Sequence, residues 1–356
     1  MTGSPLLRMA QSTSTRLWND SADPGELAEA IGWGAVGATC NPVIALAVLK
    51  ADPPKWRGRI AACADANPTW TESEVGWQMV KDLSVTAARL LEPAFEEHGG
   101  VNGRLSIQTD PRLYRDTAAL VEQAVEFSSL APNMIVKIPV TARGIEAFEE
   151  ATYRGVSLNA TVSFTLPQAL AVGEAIERGL RRREAEGLGV SSMGPVCTIM
   201  VGRLDDWLRV VAERDVITLD PGYLEWAGVA VFKKAYAIYQ DRGYRTRLLS
   251  AAFRNHMHWS QFVGGNVVIS PPFGWQERLN RSGIEPAPQM DVPVRADIVD
   301  TLYDKLPEFR KAFDEDGLEP SEFTGYGATV RTLRQFLTAN ADLEALVRDI
   351  TLPNPG

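Results

Sequence analysis

One lysine, Lys137, lies inside an apolar run that reads Met134-Ile135-Val136-Lys137-Ile138-Pro139-Val140. A short run of bulky residues closed by a proline has the pattern of a strand covered on both faces, as in the parallel sheet of an α/β protein. Lysine is seldom fully buried in such a place. Desolvation penalises its ammonium and lowers its pKa, so near pH 7 the side chain can be a free amine that attacks a ketone and forms a Schiff base. A buried ion pair, or a strand-end lysine reaching solvent, would explain the same run.

Holding such a lysine needs a sheet, and strand-like patterns recur along the chain at residues 15–20, 36–39, 104–110, 134–138, 156–162, 196–201, 245–253 and 266–269. Helical patterns separate them: from Asp23-Pro24 towards Gly32, then 43–49, 72–97, 113–130, 144–153, from Pro167 onward, and 206–243 with an interruption at Asp220-Pro221-Gly222. Residues 51–71, rich in Pro and Trp, read as an irregular excursion. Eight strands alternating with helices predict an α/β protein with one closed (β/α)8 TIM barrel rather than two domains. Beyond Pro271-Pro272 only helical patterns remain, at 298–313 and 328–350. The expected organisation is thus a single domain over 1–356, with 1–14 as an N-terminal extension and 273–356 as additional C-terminal helices. The Pro-rich link 283–293 is expected to be mobile and 352–356 to be a frayed end.

Of the 356 residues, 45% are hydrophobic and 23% charged, enough for a large core without wholesale disorder. A formal charge of -9 without any basic run argues against nucleic acid or an anionic membrane as partner. Cys40, Cys63 and Cys197 have no Cys-x-x-Cys spacing, so neither a disulfide framework nor a zinc site is indicated, and a reducing cytoplasm fits best. No apolar core with a cleavage site opens the chain and no apolar run approaches spanning length, so a protein neither secreted nor membrane-inserted is expected. His98, His256 and His258 are too few and too clustered for a Ser-His-Asp triad spread over several loops, and the last two have poor metal spacing.

Barrel active sites sit at the carboxyl ends of the strands, and side chains alternate inward and outward along each strand. Asp20 ends the first strand, Thr39 and Asn41 the second, and Ser106 shares a face of the third with Gln108. Lys137 ends the fourth, Asn159 and Thr161 share a face of the fifth, and Thr198 and Met200 share one on the sixth. Arg203 and Arg254 follow the sixth and seventh. Each has an ordinary explanation as a turn, cap or surface residue. Together they form a polar pocket around Lys137, and two arginines at its rim suit a phosphate, which guanidinium groups grip through paired hydrogen bonds.

The sequence resembles the transaldolases from about residue 15 to 350. Thr39-Cys40-Asn41-Pro42 is similar to the family's Thr-Thr-Asn-Pro, Lys137-Ile138-Pro139 to Lys-Ile-Pro around the Schiff-base lysine, and Asn159-Ala160-Thr161 to Asn-x-Thr. Val201-Gly202-Arg203, Phe253-Arg254-Asn255 and Ile269-Ser270-Pro271 follow in the family's order. The resemblance implies Lys137 as nucleophile, Asp20 in proton transfer, Asn41 and Asn159 as hydroxyl-binding groups, Thr161 as holder of a catalytic water, and Arg203 with Arg254 as phosphate clamp. It implies a pentose-phosphate enzyme that moves a three-carbon dihydroxyacetone unit between sugar phosphates with neither cofactor nor metal, in a chain that could pair as a homodimer.

Four positions depart from the family. Gln108 stands where it has an acid/base glutamate, Met200 where transaldolases have phenylalanine and the related fructose-6-phosphate aldolases tyrosine, and Ala252 and Thr198 where it has serines. An amide cannot take over that acid/base proton transfer. A fructose-6-phosphate-aldolase-like lyase, and a degenerate barrel that only binds sugar phosphates, are therefore the alternatives.

Overall fold

In the computed structural model, which describes residues 3–355, eight parallel strands close into a barrel in chain order. They are β1 (Arg16–Asn19), β2 (Ala35–Cys40), β3 (Arg104–Gln108), β4 (Met134–Pro139), β5 (Leu158–Thr161), β6 (Val196–Ile199), β7 (Arg247–Ala251) and β8 (Val268–Ser270). Closure comes where Arg16 of β1 lies beside Val268 of β8, and Leu17 beside Ile269. The TIM barrel expected from the alternating patterns is the fold, and helices follow its strands as expected.

Trp18, Ile135, Val196, Leu249, Ala251 and Val268 form an apolar cluster of their own, separate from the larger core between strands and helices. This is the barrel interior. Because side chains alternate, residues two positions further along point the same way: Asp20 after Trp18, Lys137 after Ile135, Thr198 after Val196. In the strand register Gln108 stands beside Lys137, and Lys137 beside Asn159. Period-two geometry and barrel closure thus bring five strands' polar ends to one mouth.

Several elements differ from expectation. Residues 51–71 are not irregular: Pro53–Ala66 is a helix whose first turn is favoured by Pro53 and Pro54 and capped by Asp52 Oδ1, which accepts from Lys55 N at 3.4 Å. Only Trp56 and Ile60 of that helix are buried, which left it without a clear apolar stripe. The pattern at 113–130 resolves into a 3-10 turn, Pro111–Leu113, and a helix, Thr117–Ser128, capped by Asp116. The helix expected from Asp206 already begins at Val201, and the pattern at 298–313 is broken into Ala296–Lys305 and Pro307–Phe313, since proline cannot continue the first helix.

Residues 5–12 form a further helix, Pro5–Ser12, with Leu6 and Met9 fully buried and Trp259 Nε1 donating to Met9 Sδ at 3.1 Å. The link at 283–293 has no helix or strand, but it is pinned: Met290 is buried, and Gln289 N donates to the Val263 carbonyl at 2.9 Å. The last helix, Gly327–Thr351, packs on Glu72–Glu97 and Pro42–Ala51. Near its start Thr329 Oγ1 accepts from Gln168 Nε2 at 3.4 Å, at the carboxyl end of the barrel.

Candidate active site

Lys137 is 4% exposed, and no described residue hydrogen-bonds its Nζ. Burial, first, and the positive charge of Arg203 lower its pKa, while the Asp20 carboxylate works against them. Asp20 is shifted the other way: burial raises its pKa, opposed by Lys137 and Arg203. Each group is pushed towards its neutral form by burial and towards its charged form by the other. Such a pair can pass a proton at little cost, and the amine it leaves is nucleophilic.

Around this pair the inward polar residues divide into two sets. Asn159 Nδ2 donates to Ser106 Oγ at 3.0 Å and Thr198 Oγ1 donates to Asn159 Oδ1 at 2.8 Å, so three fully buried side chains tie β3, β5 and β6 together. In contrast, Gln108 Oε1, Thr161 Oγ1, Ser163 Oγ and Ser270 Oγ are buried without any protein partner. Buried polar atoms are normally paired. Gln108, next to Lys137 in the strand register, and Thr161, on the adjoining strand, leave open atoms that give a substrate or a water somewhere to bond.

Asn41 does what its ordinary reading predicted, since its Oδ1 accepts from Ile44 N at 3.0 Å as the cap of Pro42–Ala51. Thr39, 1% exposed, pairs in register with Ser106 and so faces the same interior. Met200 is buried and begins the turn into Val201–Arg214, its N–H donating to the Ser163 carbonyl at 2.9 Å. Val162 and Ala252, directly after β5 and β7, have φ of 56° and 63°, a left-handed conformation costly for a non-glycine residue. Gly202 has no alternative, because a Cβ there would stand 2.0 Å from the Ala252 carbonyl oxygen.

The two predicted rim arginines meet in a cavity of about 430 Å³ that they share with Asp206 and, from the last helix, Arg331, Thr332, Arg334 and Gln335. Arg203 donates from Nη1 to Thr332 Oγ1 at 3.2 Å and Gln335 Oε1 at 2.6 Å, while its Nε has no partner. Burial lowers its pKa and the charge of Arg254 adds to this, with Asp20 and Asp206 opposing. Arg254 pairs with Asp206 at 2.8 Å, and its backbone N–H donates to His258 Nδ1 at 3.0 Å. His258 in turn bonds Asp205 Oδ2 through Nε2 at 2.9 Å, and Asp205 Oδ1 accepts from Gly228 N at 2.8 Å. This buried Asp205-His258 pair fixes the backbone that carries Arg254.

Sequence reasoning found Asp20, Gln108, Lys137, Asn159, Thr161, Arg203 and Arg254 but not Arg331 or Arg334. Their signal was weak, being three residues apart on one face of a long helix, with nothing local to say that this face overlies the barrel. His258 was weighed as a triad member and as a metal ligand, and its actual bond is to a carboxylate 53 positions away. Among the described residues no three His, Cys, Asp or Glu side chains are grouped closely enough to hold a metal ion.

Residues 17–314 match the family model described as transaldolase/fructose-6-phosphate aldolase. A transaldolase of Thermobifida fusca is 30% identical over 258 residues, covering 67% of this chain and 66% of its own length. One from Thiobacillus denitrificans is 30% identical over 251 residues, 68% of each chain. Transaldolase 1 of Streptomyces coelicolor is 33% identical over 212 residues, 57% of this chain and 55% of its own. The chain therefore spans about half to two thirds of the length of these relatives.

Proposed function

The chain belongs to the transaldolase/fructose-6-phosphate aldolase family, and on that premise we propose that it transfers a three-carbon dihydroxyacetone unit between sugar phosphates through a Schiff base on Lys137. The observation that carries this reading is a desolvated lysine without a hydrogen-bond partner, electrostatically coupled to one carboxyl group. Lys137 Nζ attacks the ketose C2 carbonyl, whose oxygen takes a proton to give a carbinolamine. Loss of water then gives the imine. The iminium draws the C3-C4 bonding electrons as a base removes the C4 hydroxyl proton, releasing an aldehyde and leaving an enamine.

Asp20 is the group for those proton transfers, because the Gln108 amide is neither an acid nor a base near neutral pH and burial raises the Asp20 carboxyl above its ordinary pKa. Asn159, fixed by Ser106 and Thr198, bonds the sugar hydroxyls with Asn41, while Thr39 and Met200 line the same mouth. The open Thr161 Oγ1 supports a role in holding the water that enters and leaves. Arg203 and Arg254 grip the phosphate with help from Arg331 and Arg334.

The enamine then attacks an acceptor aldose phosphate, completing transfer. Gln108 favours one second reading, in which the enamine is protonated and the imine hydrolysed, a net cleavage. The enzyme works in the cytoplasm on soluble sugars; no helix among the described residues is long and apolar enough to cross a membrane.

Reduction with borohydride in the presence of fructose 6-phosphate tests the mechanism. A substrate-derived mass is expected on the peptide that holds Lys137, with irreversible loss of activity, and Lys137→Ala removes both. If no ketose of a broad panel leaves a mass on the wild type, or the mass maps to another lysine, the Schiff base is wrong and a barrel that only binds sugars takes its place.

A further inference from the structure

The amino ends of the strands hold a second concentration of charge. Arg16, Arg104 and Arg247 are the first residues of β1, β3 and β7, two positions before Trp18, Ser106 and Leu249 and so inward-facing. They are electrostatic neighbours: Arg247 acts on Arg104, and Arg16 on Arg247. Burial chiefly, and this repulsion next, bring both Arg104 and Arg247 down to about 10.

Among the described residues, every hydrogen bond these guanidinium groups make goes to a neutral acceptor. Arg16 Nη1 donates to the Ala10 and Thr13 carbonyls at 3.2 and 3.0 Å. Arg104 donates to those of Met134 and Ser192 at 3.0 and 2.6 Å, and Arg247 to Asn102 Oδ1 and the Val101 carbonyl at 2.9 and 3.1 Å. A guanidinium has about five N–H donors, so more than half of those available are unused. Arg104 Nε is buried with no partner at all, in a residue 4% exposed.

Arg16 and Arg247 line a cavity of about 520 Å³ whose other polar walls include Ser14, Asn102, Ser191 and Asn266. Among the described residues no acidic one lines it. Its remaining arginine, Arg245, is already paired with Glu177 and Glu184 at 2.9 and 2.6 Å. Arg104 stands just behind the wall, since a Cβ on the lining residue Gly194 would lie 3.2 Å from its Nε. One buried and two half-buried neighbouring cations without a carboxylate are costly unless something negative joins them.

We propose that this cavity on the amino-terminal face of the barrel is a second anion site, which takes a phosphate group on the guanidinium forks of Arg16 and Arg247, with Arg104 behind them. Planar guanidinium groups match the oxygens of a phosphate in pairs. The site is at the opposite end of the barrel from Lys137 and does not depend on what reaction occurs there. Inorganic phosphate and a phosphate monoester share the chemistry that it recognises.

The full-length chain with Arg203→Ala, Arg254→Ala, Arg331→Ala and Arg334→Ala has its mouth clamp removed, and calorimetric titration with inorganic phosphate at constant ionic strength against chloride then reads the floor site alone. Two phosphates bound per wild-type chain, falling to one in this background, are expected. Its melting temperature should rise with the logarithm of phosphate concentration. In the same background Arg247→Gln is expected to abolish the remaining binding. Because that change removes bonds to Asn102 and Val101, Ser191→Glu provides a second test. Ser191 is exposed on the cavity wall, and a carboxylate there should both exclude phosphate and raise the melting temperature in phosphate-free buffer.

Titration with glycerol 3-phosphate distinguishes the two sources: tighter binding than inorganic phosphate points to a phosphorylated metabolite, weaker binding to the free ion. Absence of any phosphate binding above the chloride control in the clamp-free chain, or binding that survives Ser191→Glu unchanged, overturns the proposal.

Discussion

The two ends of the barrel handle buried charge in opposite ways. At the mouth Lys137 and Arg203 face Asp20, so that charges of both signs act on each other. At the floor Arg16, Arg104 and Arg247 face one another and are bonded only to carbonyls and one amide. Both ends inherit the same period-two geometry, which points alternate residues of each strand inward. The difference is compensation: the mouth carries its own counter-charge and can shuttle a proton, while the floor has charge to spare and can hold an anion but transfers nothing.

Asp20→Asn makes the mouth more like the floor, removing the carboxyl group that faces Lys137 and leaving Arg203 only Asp206. General acid-base groups contribute about 10²- to 10⁴-fold, and a loss of that order in kcat is expected. The sign of the accompanying pH effect follows from the coupling. Asp20 raises the pKa of Lys137, so its removal lowers that pKa further and more free amine is present at a given pH. The acid limb of the borohydride trapping rate should therefore move to lower pH even as turnover falls. Turnover near wild type, or a limb that moves to higher pH, would show that Asp20 is not coupled to the lysine as described.

Arg203→Ala leaves the Lys137-Asp20 pair in place and takes one of the rim guanidinium groups from the mouth. A hydrogen bond to a charged group is worth about 1.5–3 kcal/mol, and a rise in KM of that size is expected for a phosphorylated substrate and hardly any for its dephosphorylated analogue. Steady-state kinetics on the two substrates decides, because equal losses would mean that Arg203 serves only to anchor the last helix through Thr332 and Gln335.

Gln108→Glu sharpens the contrast by adding a second carboxylate beside Lys137. Its expected effect is the smallest, about 0.5–1.5 kcal/mol, the net value of one hydrogen bond. It is read as a higher ratio of transfer from fructose 6-phosphate to erythrose 4-phosphate over release of the three-carbon unit. An unchanged ratio would mean that a carboxylate at this position does not steer the enamine.

Much of the mouth could be read from local pattern. Lys137 was conspicuous because a charged residue breaks an otherwise apolar run, and Asp20, Asn159 and Thr161 because they are polar at strand ends. The floor arginines were equally inward but went unremarked, as a charged residue opening a strand looks like an ordinary solvent-facing start. Helix Pro53–Ala66 was missed for a related reason: only Trp56 and Ile60 on it are buried, so its proline start was the one cue.

What the sequence determined alone was the order and type of the elements and the inward or outward sense of each strand residue, because periods of 2 and 3.6 act between neighbours in the chain. It also determined caps such as Asn41 and the capping box of Thr71 and Glu74 that starts Glu72–Glu97, since those bonds close within three residues. Tertiary structure alone decided which faces meet. Arg203 and Thr332 are 129 positions apart and bond only because the last helix crosses the mouth; Asp205 and His258 meet across 53 positions. Such contacts follow from closure of the barrel and the docking of helices on it, which bury apolar area without regard to distance along the chain, and no local pattern encodes them.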